Sequence, residues 1–196
     1  MKIYGDMKSG NCLKVKWTAE TLGIPFTWQT VDIMSGETRT ANYLERFPFG
    51  QVPTVEFADG RTLVQSNAII RYMAHDSRLL PGDAFAAAKV DEWLFWEQYS
   101  HEPYIAVCRF HMVYKAQSKE TRESWRVERG EAALDLMDRH LAHRDWFAGE
   151  TMTVADIALL AYTRVAHEGG FDLSGRVHLR RWIARAETEL NLTGAA

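Results

Sequence analysis

Cysteine is scarce: Cys12 and Cys108 are the only two in 196 residues. They make no disulfide framework, and a reducing compartment, the cytoplasm, suits them. Long hydrophobic runs are missing. No stretch approaches the roughly 20 apolar residues that cross a bilayer, so no membrane partner is expected. The first residues lead directly into a strand-like run, without the basic and apolar regions of a secretory signal. Asn191-Leu192-Thr193 matches a glycosylation acceptor, but without secretion that match is chance. Charge of one sign is not gathered anywhere. The net charge is −3; residues 1–78 hold 9 Lys+Arg and 8 Asp+Glu, net +1, which leaves −4 for the rest. A nucleic-acid binder carries a clustered basic face, so that partner is not expected. His101 and His111 belong to no HExxH or Cys/His cluster, and no metal is expected.

What remains is an ordinary globular balance, 46% hydrophobic and 25% charged. The patterning falls into two parts. Lys2–Asp6 reads as a strand, and Cys12–Gly23 as a helix that Gly23 closes. Phe26–Val31 is β-branched and aromatic, a second strand. Ala41–Phe47 reads as a short helix stopped by Pro48. Thr54–Phe57 and Thr62–Val64 flank Asp59-Gly60, a hairpin signal. Ser66, a good N-cap, then opens a helix to about His75. The order is β-α-β-α-β-β-α, with the first two strands parallel and the last two antiparallel.

Residues 78–83, with Pro81-Gly82, read as a linker between a domain over 1–77 and one over 84–196. After it the strand signals stop. Ala84–Lys115, Thr121–His143, Val154–His167 and Val177–Glu189 carry helical patterning. The rings of Trp93, Trp96, Tyr99, Tyr104 and Phe110 read as mainly core. Thr153 and Asp156 read as a capping box, with Met152 and Ile157 as its staple, a folding signal rather than a site.

The stretch Lys8-Ser9-Gly10-Asn11-Cys12 follows the first strand and resembles a Cys-x-x-Cys turn with Ser9 in the first cysteine's place. A disabled redox site, a hydroxyl-using site and a plain turn all fit it. Two further stretches line up with it: Phe47–Val55 (FPFGQVPTV), where Pro53 begins a strand, and Gln65–His75 (QSNAIIRYMAH). Together with Thr153–Ile157 (TVADI), in this order and at these intervals, they resemble the glutathione S-transferase family over essentially the whole chain.

The resemblance implies an α/β plus all-α fold: a thioredoxin-like N-terminal domain followed by an all-helical C-terminal domain. It implies glutathione as the substrate, a small hydrophobic electrophile as its acceptor, and a homodimer. In this family's pattern Ser9 falls on the catalytic hydroxyl of the serine-type classes, donating to the glutathione sulfur, and Asn11 is a second candidate donor. A cis Val52-Pro53 bond would turn Val52's backbone outward to pair with the tripeptide as an added strand. Ser66, at a helix N-terminus, suits the γ-glutamyl carboxylate. Gln65 suits the neighbouring amine, Arg39 the glycyl carboxylate, and Gln51 adds a side chain. Tyr104, Cys108, His111 and Met112 recur at helical spacing and are expected to line the second-substrate pocket. Phe49 suits an aromatic key into a partner subunit.

Two departures stand out. Phe47 replaces an Asn before Pro48, and Gln65 replaces the commoner Glu, so a charge that would pair with the glutathione ammonium is missing. Two rivals remain open: a glutathione-dependent thiol–disulfide oxidoreductase or peroxidase, which would want a nucleophilic cysteine, and a non-catalytic glutathione-binding scaffold.

Overall fold

The computed structural model describes residues 1–192, so the acceptor triplet ending at Thr193 extends outside the described residues. The chain forms two compact units, Met1–Ser77 and a second that starts at Arg78.

The first unit runs β1 (Lys2–Gly5), α1 (Gly10–Thr21), β2 (Thr27–Thr30), α2 (Ala41–Arg46), β3 (Thr54–Glu56), β4 (Thr62–Val64) and α3 (Ser66–Met73). The sheet order is β2-β1-β3-β4. β1 lies parallel to β2; β3 runs antiparallel to both β1 and β4. Ile3 sits opposite Trp28 on one side and Val55 on the other. Helices α1 and α3 pack together, burying Cys12, Val15 and Ala19 with Ile69, Ile70 and Met73. A separate aromatic cluster joins Tyr4, Val31, Tyr43 and Phe47, with Val52 packed against it.

Local chemistry explains where the elements end. α1 begins two residues earlier than the pattern predicts, because Ser9 is its N-cap: the backbone there is extended, and its carbonyl accepts from the N–H groups of Cys12 and Leu13. Gly23 lies just past the C-cap at φ 64°, the left-handed conformation that glycine adopts without penalty. α2 starts at the Thr40 cap, whose hydroxyl accepts from the Tyr43 N–H. It stops at Arg46 and not Phe47, because Phe47 precedes Pro48 and is driven out of the helical region.

The second unit is helical: α4 (Ala84–Trp96), a π turn (Glu97–His101), α5 (Glu102–Val113), α6 (Ser124–Leu141), α7 (Val154–Thr163) and α8 (Val177–Glu189). The pattern predicts one helix over 84–115. Pro103 interrupts it: proline offers no N–H, and its ring crowds the carbonyl one turn back, at Tyr99, so the ladder widens there. Tyr99, expected in the core, is 81% exposed. The core is α7, buried at every position, and a ring cluster about Phe147, with Trp93 at 4.7 Å and Trp182 at 4.9 Å. The capping box forms as expected: Thr153 caps α7 and Asp156 reaches back to the Thr153 N–H. Among the described residues no helix is long and apolar enough to cross a membrane.

Candidate active site

The three stretches singled out from the sequence all lie in the first unit, at the ends of α1, β3 and α3. Ser9 is the half-buried N-cap of α1, and its side chain makes no capping bond. The exposed N–H groups of a helix's first turn favour negative charge beside it. Asn11 stands in that turn. Its Oδ1 accepts from the Ser66 hydroxyl at 3.2 Å, which ties the start of α1 to the start of α3.

One expectation is corrected here. Ser66 is not the N-cap of α3 but its first helical residue; Gln65 holds the cap position. Gln65 has φ 69° and ψ 110°, a left-handed-side backbone that a residue with a Cβ rarely adopts. Its side chain does not cap the helix. It donates instead to the Gln51 side chain at 3.2 Å. That backbone turns the chain from β4 into α3, whose first residue, Ser66, is buried.

The Val52-Pro53 bond is cis, as expected. Pro53 is buried and Val52 half-buried, while Gln51 is exposed. The loop before them closes at Gly50, with φ 58°. A Cβ there would come within 2.9 Å of the Leu44 Cδ2 and 3.0 Å of the Thr38 carbonyl, and the positive φ adds strain, so the loop closes on glycine. Arg39 itself is exposed, and among the described residues it makes no ion pair. Phe49, at the loop's tip, is 58% exposed.

Cys12 is closed off beneath this surface. Burial pushes its thiol up to about 11, outweighing the opposing influence of the nearby Ser9 hydroxyl and a hydrogen bond from the Asp6 N–H. A thiol so raised stays protonated at neutral pH and is a poor nucleophile. Cys12 and Cys108 are both free and buried.

The second-substrate candidates lie on α5. Tyr104 is half-buried, edge-on to Trp125 at 6.2 Å, with its hydroxyl accepting from Arg129. His111 and Met112 are half-buried. Cys108 is 1% exposed and is the least accessible of the four. Among the described residues no group of three or more His, Cys, Asp or Glu is placed to hold a metal ion. Sequence reasoning missed two residues that shape the site, Tyr43 and Thr54, both buried beneath the Gln51 carbonyl. Nothing in the spacing of Tyr43 marks it.

The first unit is thioredoxin-like, with a cis-proline loop and two helix N-termini joined by the Asn11–Ser66 bond, and the second is all-helical. Residues 9–76 match the model of the glutathione S-transferase N-terminal domain, and residues 119–185 that of the C-terminal domain. A glutathione S-transferase-like protein, LUC7, from a Fusarium species is 31% identical over 163 residues, covering 80% of this chain and 73% of its own. The glutathione S-transferase of Pseudomonas fluorescens has a solved structure that is 45% identical. It superposes with a TM-score of 0.91 over 95% of this chain and 94% of its own. Human glutathione S-transferase theta-2 is 27% identical over 97% of this chain and 82% of its own. The chain belongs to the glutathione S-transferase family, and it is a glutathione transferase whose substrate is glutathione.

Proposed function

We propose that this transferase activates glutathione with the Ser9 hydroxyl and conjugates it to small hydrophobic electrophiles. The reading rests on Ser9 standing at the α1 N-terminus beside the Asn11–Ser66 bond. A free cysteine thiol has a pKa of about 8.5 and is only a few per cent ionised at pH 7. A hydroxyl donating to the sulfur, and the α1 terminus behind it, favour the thiolate. The thiolate attacks the electrophile, the carbon–sulfur bond forms, and the displaced group leaves with the electron pair. Asn11 is the second donor in this scheme.

The tripeptide lies along Val52, ahead of the cis Pro53, pairing its cysteinyl segment with the Val52 backbone. Ser66 and the first N–H groups of α3 take the γ-glutamyl carboxylate, and Gln65 and Gln51 the adjacent amine. Arg39 takes the glycyl carboxylate; its lack of an ion pair among the described residues supports this. Tyr104, His111 and Met112 contribute to the acceptor pocket, with Cys108 the least placed to touch a substrate. The protonated Cys12 speaks against the oxidoreductase reading.

A homodimer accounts for the exposed rings of Phe85, Phe95 and Tyr99, at 76%, 75% and 81%. Two free cysteines suit a cytoplasmic location.

The test combines retention on immobilised glutathione with a conjugation assay of the parent and Ser9→Ala. A hydrogen bond to a charged group is worth about 1.5–3 kcal/mol, so the variant should lose roughly 10- to 100-fold in kcat/KM. Unchanged activity in Ser9→Ala would discard the Ser9 mechanism, and a parent that neither binds nor conjugates would discard the whole reading. Light scattering should return twice the 22.4 kDa chain mass.

A further inference from the structure

The Gln51–Val52 peptide is held from beneath by two hydroxyls. Tyr43 Oη donates to the Gln51 carbonyl at 3.0 Å, and Thr54 Oγ1 donates to the same oxygen at 3.1 Å. A carbonyl oxygen has two lone pairs, so this acceptor is filled. Both donors sit on rigid ground. Tyr43 is 7% exposed on α2, with its ring edge-on to Phe47 at 5.0 Å. Thr54 is fully buried at the first position of β3, paired with Tyr4 and Val64. Burial also raises the Tyr43 hydroxyl's pKa, so it keeps its proton and remains a donor at neutral pH.

The consequence follows from peptide geometry. In a trans peptide the C=O and N–H point in opposite directions. The cis bond is the next one along, Val52-Pro53, so the Gln51–Val52 peptide is trans. Tying its carbonyl inward therefore turns the Val52 N–H outward. We propose that Tyr43 and Thr54 are positioning residues for glutathione: their two hydroxyls together aim the Val52 N–H at the cysteinyl segment. This rests on the proposed docking of the tripeptide along Val52. Neither residue touches the substrate. Losing one hydroxyl frees the peptide to tilt, which weakens binding of glutathione in ground state and transition state alike, and so raises KM while leaving kcat in place.

The experiment is steady-state conjugation to 1-chloro-2,4-dinitrobenzene, with glutathione varied, on the parent, Tyr43→Phe, Thr54→Val, the double variant and Thr54→Ser. The loss of one hydrogen bond should raise KM for glutathione about 3- to 10-fold in each single variant, with kcat within about 2-fold. The double variant should exceed both. Thr54→Ser, which keeps the hydroxyl, should restore the parent value. KM for the electrophile should not move. Circular dichroism monitors folding; if Tyr43→Phe fails to fold, the contrast between Thr54→Val and Thr54→Ser decides. Variants that melt earlier but keep the parent KM for glutathione have only a structural defect, and that result overturns the inference while leaving the docking intact. A parent without affinity for glutathione overturns both.

Discussion

Asp156→Ala should cost the helical unit most of its stability. Asp156 is fully buried, and four donors converge on its carboxylate. Oδ1 accepts from the Phe147 N–H at 3.1 Å and the Trp182 indole N–H at 3.0 Å. Oδ2 accepts from the Thr153 N–H at 2.9 Å and the Thr153 hydroxyl at 3.2 Å. These bonds join the segment before α7, the α7 cap and α8. The Thr153 hydroxyl can rotate to another acceptor; the two backbone N–H groups and the indole cannot. Three buried donors left without a partner cost about 1–3 kcal/mol each, so the total is about 3–9 kcal/mol. A domain's whole stability is about 5–15 kcal/mol. The same site carries a pH signature. Burial raises the Asp156 pKa from 3.8 to about 6, the largest of the effects acting on it. Between those two values the folded chain holds a proton that the unfolded chain releases. Stability from this group is therefore greatest at low pH and falls as pH rises through about 6, by roughly 3 kcal/mol in all. Asp156→Asn cannot titrate, so the parent should gain on it as pH falls from 7 to 4. Urea unfolding followed by tryptophan fluorescence measures both. A loss below about 1 kcal/mol in Asp156→Ala, or a parent–Asn difference that stays flat with pH, would refute the reasoning.

Gly50→Ala places a Cβ 2.7 Å from Arg39 and 3.0 Å from a carbonyl, at φ 58°. It should cost about 1–3 kcal/mol in thermal unfolding and raise KM for glutathione by displacing Arg39 and the loop. In the proposed docking, Gln65→Glu would supply a charge opposite the glutathione ammonium. Exchanging a neutral for a charge-assisted hydrogen bond is worth about 1 kcal/mol, so KM for glutathione should fall roughly 5-fold in kinetic assays. Cys12, with its thiol raised to about 11, should resist a thiol-specific reagent at pH 8 in the folded protein and react once urea is added. Rapid labelling of the folded state would contradict the burial assigned to it.

Much of this protein was legible from local patterns, because those patterns encode local physics. The βαβαββα order followed from alternation and turn residues, the helical half from its periodicity, and the α7 capping box from two residues three apart. Ser9, Val52-Pro53 and Gln65-Ser66 were visible as motifs, and the cis bond was expected from the resemblance they carry. Other features depended on contacts between residues distant in sequence. Ser66 passed for an N-cap by residue type; the positive-φ backbone at Gln65 makes Gln65 the cap and Ser66 the first helical residue. Pro103 was visible, but how the chain would absorb it, as a π turn that leaves Tyr99 in solvent, depended on packing. The depth of Cys12, and with it the protonation of its thiol, was set by α1 lying against α3. The two hydroxyls under Gln51 come from a helix and a strand that meet only after folding. Residue type and spacing determine which groups a segment offers. Which of them share an oxygen, and which way a peptide faces, is decided by tertiary packing, because those directions are set by neighbours that the chain brings from elsewhere.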